Sequence, residues 1–276
     1  TSSNCLIKLT DALNSEISAW SPPFTLRAYD LARTSVNGTM ELFAPSSHGW
    51  SFANEESVMW PPSWYSQYDY PNINDEYTGS PFSPRFIVTT GAKSEELPDW
   101  HLFVETFGYD KCYSSNAPTE AAMHAWKVLK EPWAGACFGF PTSALLAFEQ
   151  KAGFFSQHPG IPATESIFGL FLTSTIRNTV LQYYISQNDI AQIDHLIVNS
   201  HAVDVRELLA QLKEELLNES GDHKTLSMLN SAAPGAHTLI PFKLVQEESN
   251  PGTFQLFVYD CNHPGQHDIF IELDSL

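Results

Sequence analysis

Basic residues are scarce in this chain: 14 Lys and Arg stand against 32 Asp and Glu over 276 residues, a formal charge of −18. Such a field repels phosphate backbones and anionic lipid surfaces, which makes nucleic acid a poor partner. A long hydrophobic run is lacking too. The most apolar stretch, Ile167 to Ile185, is interrupted by Thr173, Ser174, Thr175, Arg177 and Asn178. That is too polar for a hydrocarbon core about 30 Å thick, so no membrane span is expected. Four cysteines are too few for a disulfide framework in a chain this long, although a bridge between Cys5 and Cys112 is conceivable in an exported protein. A Gly-rich phosphate loop, a dinucleotide fingerprint and an HExxH helix are all missing, so neither cofactor nor metal is expected.

What is present is enough apolar material for a sizeable core, with 43% of residues hydrophobic and 17% charged. The chain opens at Thr1 without a charged-then-apolar leader, as a processed form or a piece of a larger polypeptide would. Few lysines, many aromatics and two sequons, at Asn37 and Asn218, suit an extracellular or cell-surface location.

Residues 1–98 form a β/loop-rich region in this reading, an accessory or pro-segment-like part preceding a catalytic domain over 99–276. Pro, Ser, Asn and aromatics dominate it, with short strands expected over 39–43 and 85–90 and one helix over Cys5 to Ile17. From Pro118 the period becomes helical. Helices are expected over about 118–129, from Cys137 to near Gly153, over 165–187, and over 204–218, where Val205, Leu208, Leu209, Leu212 and Leu216 form one stripe. After Gly235 the pattern reads strand (238–245), turn (250–253), strand (254–259), with a further strand over 268–274. Helices first and antiparallel strands after give an α+β class.

Within this order three residues carry potential chemistry. Cys137 sits in Gly135-Ala136-Cys137-Phe138-Gly139 at the start of a helix, where unpaired N–H groups favour a thiolate. Pro141 confines that start, because proline is tolerated only in the first turn. His237 opens a strand, and the hairpin that follows returns Asp260 and Asn262 opposite it, both on one face. Either can hold an imidazole in orientation, as a thiol nucleophile paired with histidine requires.

Gly135-Ala136-Cys137-Phe138-Gly139, Ala236-His237-Thr238-Leu239-Ile240-Pro241-Phe242 and Val258-Tyr259-Asp260-Cys261-Asn262-His263-Pro264-Gly265 resemble the motifs of papain-like cysteine peptidases, in particular a loosely described bacterial set. The likeness covers roughly Trp100 to Asp274, and Phe107-Gly108-Tyr109-Asp110-Lys111-Cys112 is similar to the lead-in. It implies a papain-like fold, with the nucleophile at a helix N-terminus packed on an antiparallel sheet carrying His and Asp. It also implies peptide or protein substrates, with Cys137 as nucleophile, His237 as acid/base and Asp260 as orienting residue. Papain uses Asn in the last role, which keeps Asn262 as the alternative. In two places the chain departs from the family. Where such enzymes carry a Gln that donates to the oxyanion, six residues before the nucleophile, this chain has Glu131, and Pro141 stands where a plain helix former is expected.

Other groups carry less. Cys261, His263 and His267 have one finger-like spacing and want a fourth ligand. His195 and His201 lie off one helical face, and Glu247-Glu248 reads as a solvated hairpin tip. Trp50, Trp60, Trp64 and Tyr68 either line a cleft or simply pack. Two other functions fit the same residues: a transglutaminase-like or arylamine acyltransferase with the Cys, His, Asp order, and a non-catalytic binding or adhesion module of a larger surface protein, favoured by the missing Gln.

Overall fold

The computed structural model describes residues 2–5, 8–10, 18–20, 24–26, 30–33, 41–60, 96–115, 117–188, 204–217, 223–229, 236–250 and 252–275. The expected strand over 85–90, both sequons, His195, His201, Trp64 and Tyr68 lie outside them. The class is mixed α+β with antiparallel sheets. The strands are β1 (Ser2–Cys5), β2 (Lys8–Thr10), β3 (Ser18–Trp20), β4 (Phe24–Leu26), β5 (Asp30–Ala32), β6 (Glu96–Leu97), β7 (Tyr113–Ser114), β8 (Ala117–Pro118), β9 (Glu131–Pro132), β10 (Leu226–Leu229), β11 (Ala236–Gln246), β12 (Thr253–Tyr259) and β13 (Phe270–Asp274). The helices are α1 (Pro45–His48), α2 (Glu56–Met59), α3 (Trp100–Phe107), α4 (Tyr109–Cys112), α5 (Glu120–Leu129), α6 (Gly139–Glu149), α7 (Lys151–Gln157), α8 (Ser174–Ser186) and α9 (Val205–Leu216).

The main sheet runs β10-β11-β12-β13, with β5 added beside the far half of β11. Both of its faces are covered, which is why these strands read as nearly continuous apolar runs. Ile240, Phe242 and Tyr259 join a core built on α6 and α8, whereas Leu244, Leu256 and Val258 pack with Leu209, Leu212 and Leu216 of α9. A register shift between Pro241 and Lys243 moves the facing of β11 by one residue, since Ile240 pairs with Tyr259 but Lys243 with Phe257.

Central to the first core is α6, whose buried residues lie on every side of the helix: Phe140, Pro141, Ser143, Ala144, Leu145, Ala147, Phe148 and Glu149. Pro141 is the third residue of α6, where an N–H has no intrahelical carbonyl to meet, so the helix accommodates it at no hydrogen-bond cost. The same core takes in Phe43, Trp50, Met59 and Trp60. Residues 43–60 are thus packed together with α6, and Trp50 and Trp60 are buried packing residues rather than cleft walls.

Five expectations are corrected. The described part of Cys5–Ile17 is strand rather than helix: β1 ends at Cys5 and pairs with β4, and β2 over Lys8–Thr10 pairs with β3, since the sequence Leu6-Ile7-Lys8-Leu9-Thr10 suits strand spacing equally well. No bridge ties up Cys112, which is a buried free thiol whose pKa burial pushes up to about 11. The helix expected over 165–187 begins at Ser174, after a single 3-10 turn at Ile167–Gly169, because Thr173 caps it by accepting the Ile176 N–H at 3.2 Å. The helix after Cys137 breaks at Gln150, and Gly153 falls inside α7 rather than at an end. The strand expected over 39–43 is reduced, in its described part, to one bridge at Leu42. Among the described residues no helix is long and apolar enough to cross a membrane.

Candidate active site

The loop before α6 places Cys137. Gly135 adopts φ +106°, a conformation closed to most side chains, and lets the chain turn beneath Asn54. The Ala136 carbonyl then accepts from Gly139 N–H at 2.9 Å and Phe140 N–H at 3.3 Å, which folds Cys137 and Phe138 into a turn at the helix start. Gly139 is held to glycine by packing. A Cβ there would lie 2.1 Å from the Val180 carbonyl, so this glycine lets α6 and α8 touch.

The sheet supplies the partners. His237, the second residue of β11, sits across from Met228 of β10, and Asp260 follows the last residue of β12. Their side chains meet, with His237 Nε2 2.8 Å from Asp260 Oδ1. The Cys137 thiol acts on the same imidazole, adding to the rise of its pKa, and with Nε2 held by Asp260 the nitrogen left for sulfur is Nδ1. The Cys137 Sγ lies 3.4 Å from the carbonyl of Ala236, the residue before His237. Helix start and sheet end therefore converge on one partly buried cluster of Cys137, His237 and Asp260.

Its electrostatics follow from these contacts. The Asp260 hydrogen bond, with the Cys137 thiol second, raises the His237 pKa to about 9 against the effect of burial. Burial works to raise the Asp260 pKa, but hydrogen bonds from His237, from the Asn262 N–H at 2.9 Å and from His263 Nδ1 at 3.1 Å overcome it and hold the carboxyl at about 2. At neutral pH the pair is an imidazolium against a carboxylate.

Asn262 has a different partner. Residues 261–262 form a turn rather than extending β12, so the common face expected for Asp260 and Asn262 does not form. The Asn262 Oδ1 accepts from Asn54 Nδ2 at 3.2 Å, while Asn54 Oδ1 accepts from the Ala136 N–H at 2.8 Å. Asn54 was not indicated by any sequence pattern. It lies in an irregular loop anchored by Trp50, whose N–H donates to Tyr259 Oη at 3.2 Å and whose indole donates to Ser143 Oγ at 2.9 Å. Glu131 lies in β9, exposed, paired with Leu97 of β6.

Cys261, His263 and His267 do not converge on one point. His263 leans on Asp260, His267 bonds Ser46 Oγ at 2.7 Å, and Cys261 is buried, with its pKa pushed far up by burial. The metal-type grouping among the described residues is instead His237, Asp260 and Cys261, with ligand atoms within 4.8 Å of one another. Its nitrogen and oxygen already share the 2.8 Å hydrogen bond. No family model matches this chain, and no curated protein or solved structure matches it either.

Proposed function

We propose that the chain is a cysteine peptidase of papain-like fold. The observation that carries this reading is the convergence of Cys137 at the start of α6, its Sγ 3.4 Å from the Ala236 carbonyl, on His237, which is hydrogen-bonded to Asp260 at the end of β12. A buried packing cysteine would need neither the imidazole nor the carboxylate behind it.

In this mechanism His237 already holds the proton as an imidazolium, and Cys137 attacks the peptide carbonyl as the thiolate paired with it. A C–S bond forms as the carbonyl π pair moves to oxygen, and backbone N–H groups at the start of α6 face the developing charge. Collapse breaks the C–N bond, and the imidazolium delivers its proton to the departing amine. His237 then takes a proton from water, hydroxide adds to the thioester, and breaking the C–S bond releases the acid and regenerates the thiolate. Asp260 stabilises the imidazolium throughout and fixes its tautomer.

The test is digestion of a mixed peptide library by the purified protein, by Cys137→Ala and by Asn262→Ala, with mass spectrometry of the products. The proposal expects cleavage that Cys137→Ala abolishes, with a mass-detected acyl adduct on Cys137 during turnover. An adduct that resolves only onto added amines would make the protein an acyltransferase, and no adduct at all would leave a binding module.

A further inference from the structure

Beside the loop that leads into Cys137 lies a cavity of about 210 Å³, lined by Glu131, Tyr184, Gln187 and Asn188 together with Leu97 and Leu129. Pockets for drug-sized ligands run from about 300 to 1,000 Å³, so this one suits a single side chain. Its polar atoms favour a cation. Glu131 is exposed and joins no ion pair among the described residues. Gln187 turns its Nε2 back onto the Tyr184 carbonyl at 2.8 Å, and Asn188 its Nδ2 onto the Ile185 carbonyl at 3.3 Å. Each amide nitrogen commits one of its two N–H donors in this way, and each amide oxygen stays an acceptor for a ligand. Residues 184 to 188 also end α8, the negative pole of that helix.

Tyr184 joins the cavity to the nucleophile. A Cβ built on Gly139, two residues past Cys137, would lie 2.9 Å from the Tyr184 nitrogen and 3.0 Å from its Cβ. The phenol is pushed up to about 12 by burial, with the charges of Glu131 and Cys137 adding to it, so it stays protonated between them.

We infer that this cavity is a subsite for a basic side chain of the substrate, a lysine ammonium or an arginine guanidinium close to the scissile bond, with the Glu131 carboxylate as its counter-charge. The role as a subsite rests on the peptidase reading, whereas the preference for a cation does not. Glu131 then recognises substrate at the position where an oxyanion-binding Gln is absent. The chain's overall charge of −18 attracts basic peptides to the protein as a whole.

Two experiments separate this inference from the peptidase reading. In the first, the wild-type protein and Glu131→Gln are profiled on peptide libraries. Cleavage should concentrate where Lys or Arg lies within two residues of the cut. The variant should lose about 10- to 100-fold in kcat/KM on those substrates, the weight of one charge-assisted hydrogen bond, and change leucine substrates by less than about twofold. Cleavage without a basic preference, or a preference that survives in Glu131→Gln, overturns the inference and leaves the peptidase standing. In the second, the side-chain amide resonances of Gln187 and Asn188 are followed by NMR in Cys137→Ala, with n-butylammonium or n-butanol added. Shifts with the ammonium alone, lost on adding Glu131→Gln, uphold the cation site even in a protein that cleaves nothing. Resonances that ignore the ammonium, or that respond equally to the alcohol, overturn it.

Discussion

Asn54 donates from Nδ2 to Asn262 Oδ1 at 3.2 Å. With its other amide atom on the Ala136 N–H, at 2.8 Å, the side chain links the nucleophile's loop to the turn that follows Asp260. The Asn262 N–H in turn holds Asp260, and Asp260 holds His237, so the contacts form a ring that closes where Cys137 meets the Ala236 carbonyl beside His237.

Asn54→Ala opens that ring without touching a reacting atom. Misplacing catalytic groups by an ångström costs about 10² in rate, so kcat should fall by about 10- to 100-fold while KM changes little. Steady-state kinetics on one good substrate checks this. Unfolding free energy should drop by only about 1 kcal/mol per bond lost, which urea titration measures.

Asp260→Asn keeps the shape and removes the charge that raises His237. Activity of the wild type should decline as pH rises through about 9, where the imidazolium is lost. In the variant that limb should move down toward the ordinary 6.5, and kcat should fall by about 10² to 10⁴, as it does when other triads lose their carboxylate. A pH–rate profile of both proteins reads both effects. Asn262→Ala, whose side chain bonds Asn54 rather than His237, should leave the alkaline limb in place.

Much of this arrangement was legible because it is local. The Asp204-capped stripe of α9, the β11–β12 hairpin with its turn at 250–253, and the helix start at Cys137 each follow from the periodicity and turn chemistry of neighbouring residues. Long-range pairings were not. β5 lies against β11 some 210 residues later in the chain, and Asn54 reaches Asn262 across a similar interval. No periodicity marks an asparagine in a loop, and the strands at 2–10 carry a pattern that a helix would also satisfy. The turn at 261–262, which hands Asn262 to Asn54 and leaves Asp260 to the imidazole, depends on where β12 stops pairing. The separation of those two residues was therefore not readable from alternation.

A buried charge cluster remote from the site should govern alkaline stability. His223 lies 3.2 Å from Glu149 and 3.3 Å from Glu215, and Arg33, itself fully buried, lies 2.9 Å from Glu215. Burial and the neighbouring Arg33 guanidinium work to lower the His223 pKa, but the Glu149 and Glu215 carboxylates beside it raise it to about 9. A histidine raised in this way contributes its full stability below its unfolded value of 6.5 and loses it as pH rises through about 9. His223→Gln should destabilise the protein at pH 6, by up to about 3 kcal/mol, since it takes the imidazolium from buried Glu149 and leaves Glu215 to Arg33, and by less at pH 10. Denaturant unfolding at the two pH values, taken as a difference from wild type, separates His223 from the similar contribution of His237.

Gly139→Ala should be costly although alanine favours helices. The new methyl would meet the Val180 backbone carbonyl 2.1 Å away, and backbone cannot swing aside. Forcing α6 from α8 costs about 1–3 kcal/mol in overpacked cores. Calorimetry should show a lower Tm, and the displaced helix start should slow Cys137 alkylation.

The central claim is that Cys137 and His237 form one ionised pair. It is tested most directly by the rate of carbamidomethylation at each cysteine against pH, read by peptide mass spectrometry in native wild type and in His237→Ala. The account predicts that Cys137 alone reacts fast well below pH 8, that buried Cys112 and Cys261 stay inert, and that His237→Ala slows Cys137 to the rate of an ordinary thiol. A Cys137 that reacts no faster than a free thiol in the wild type, or equally fast in both proteins, would contradict it.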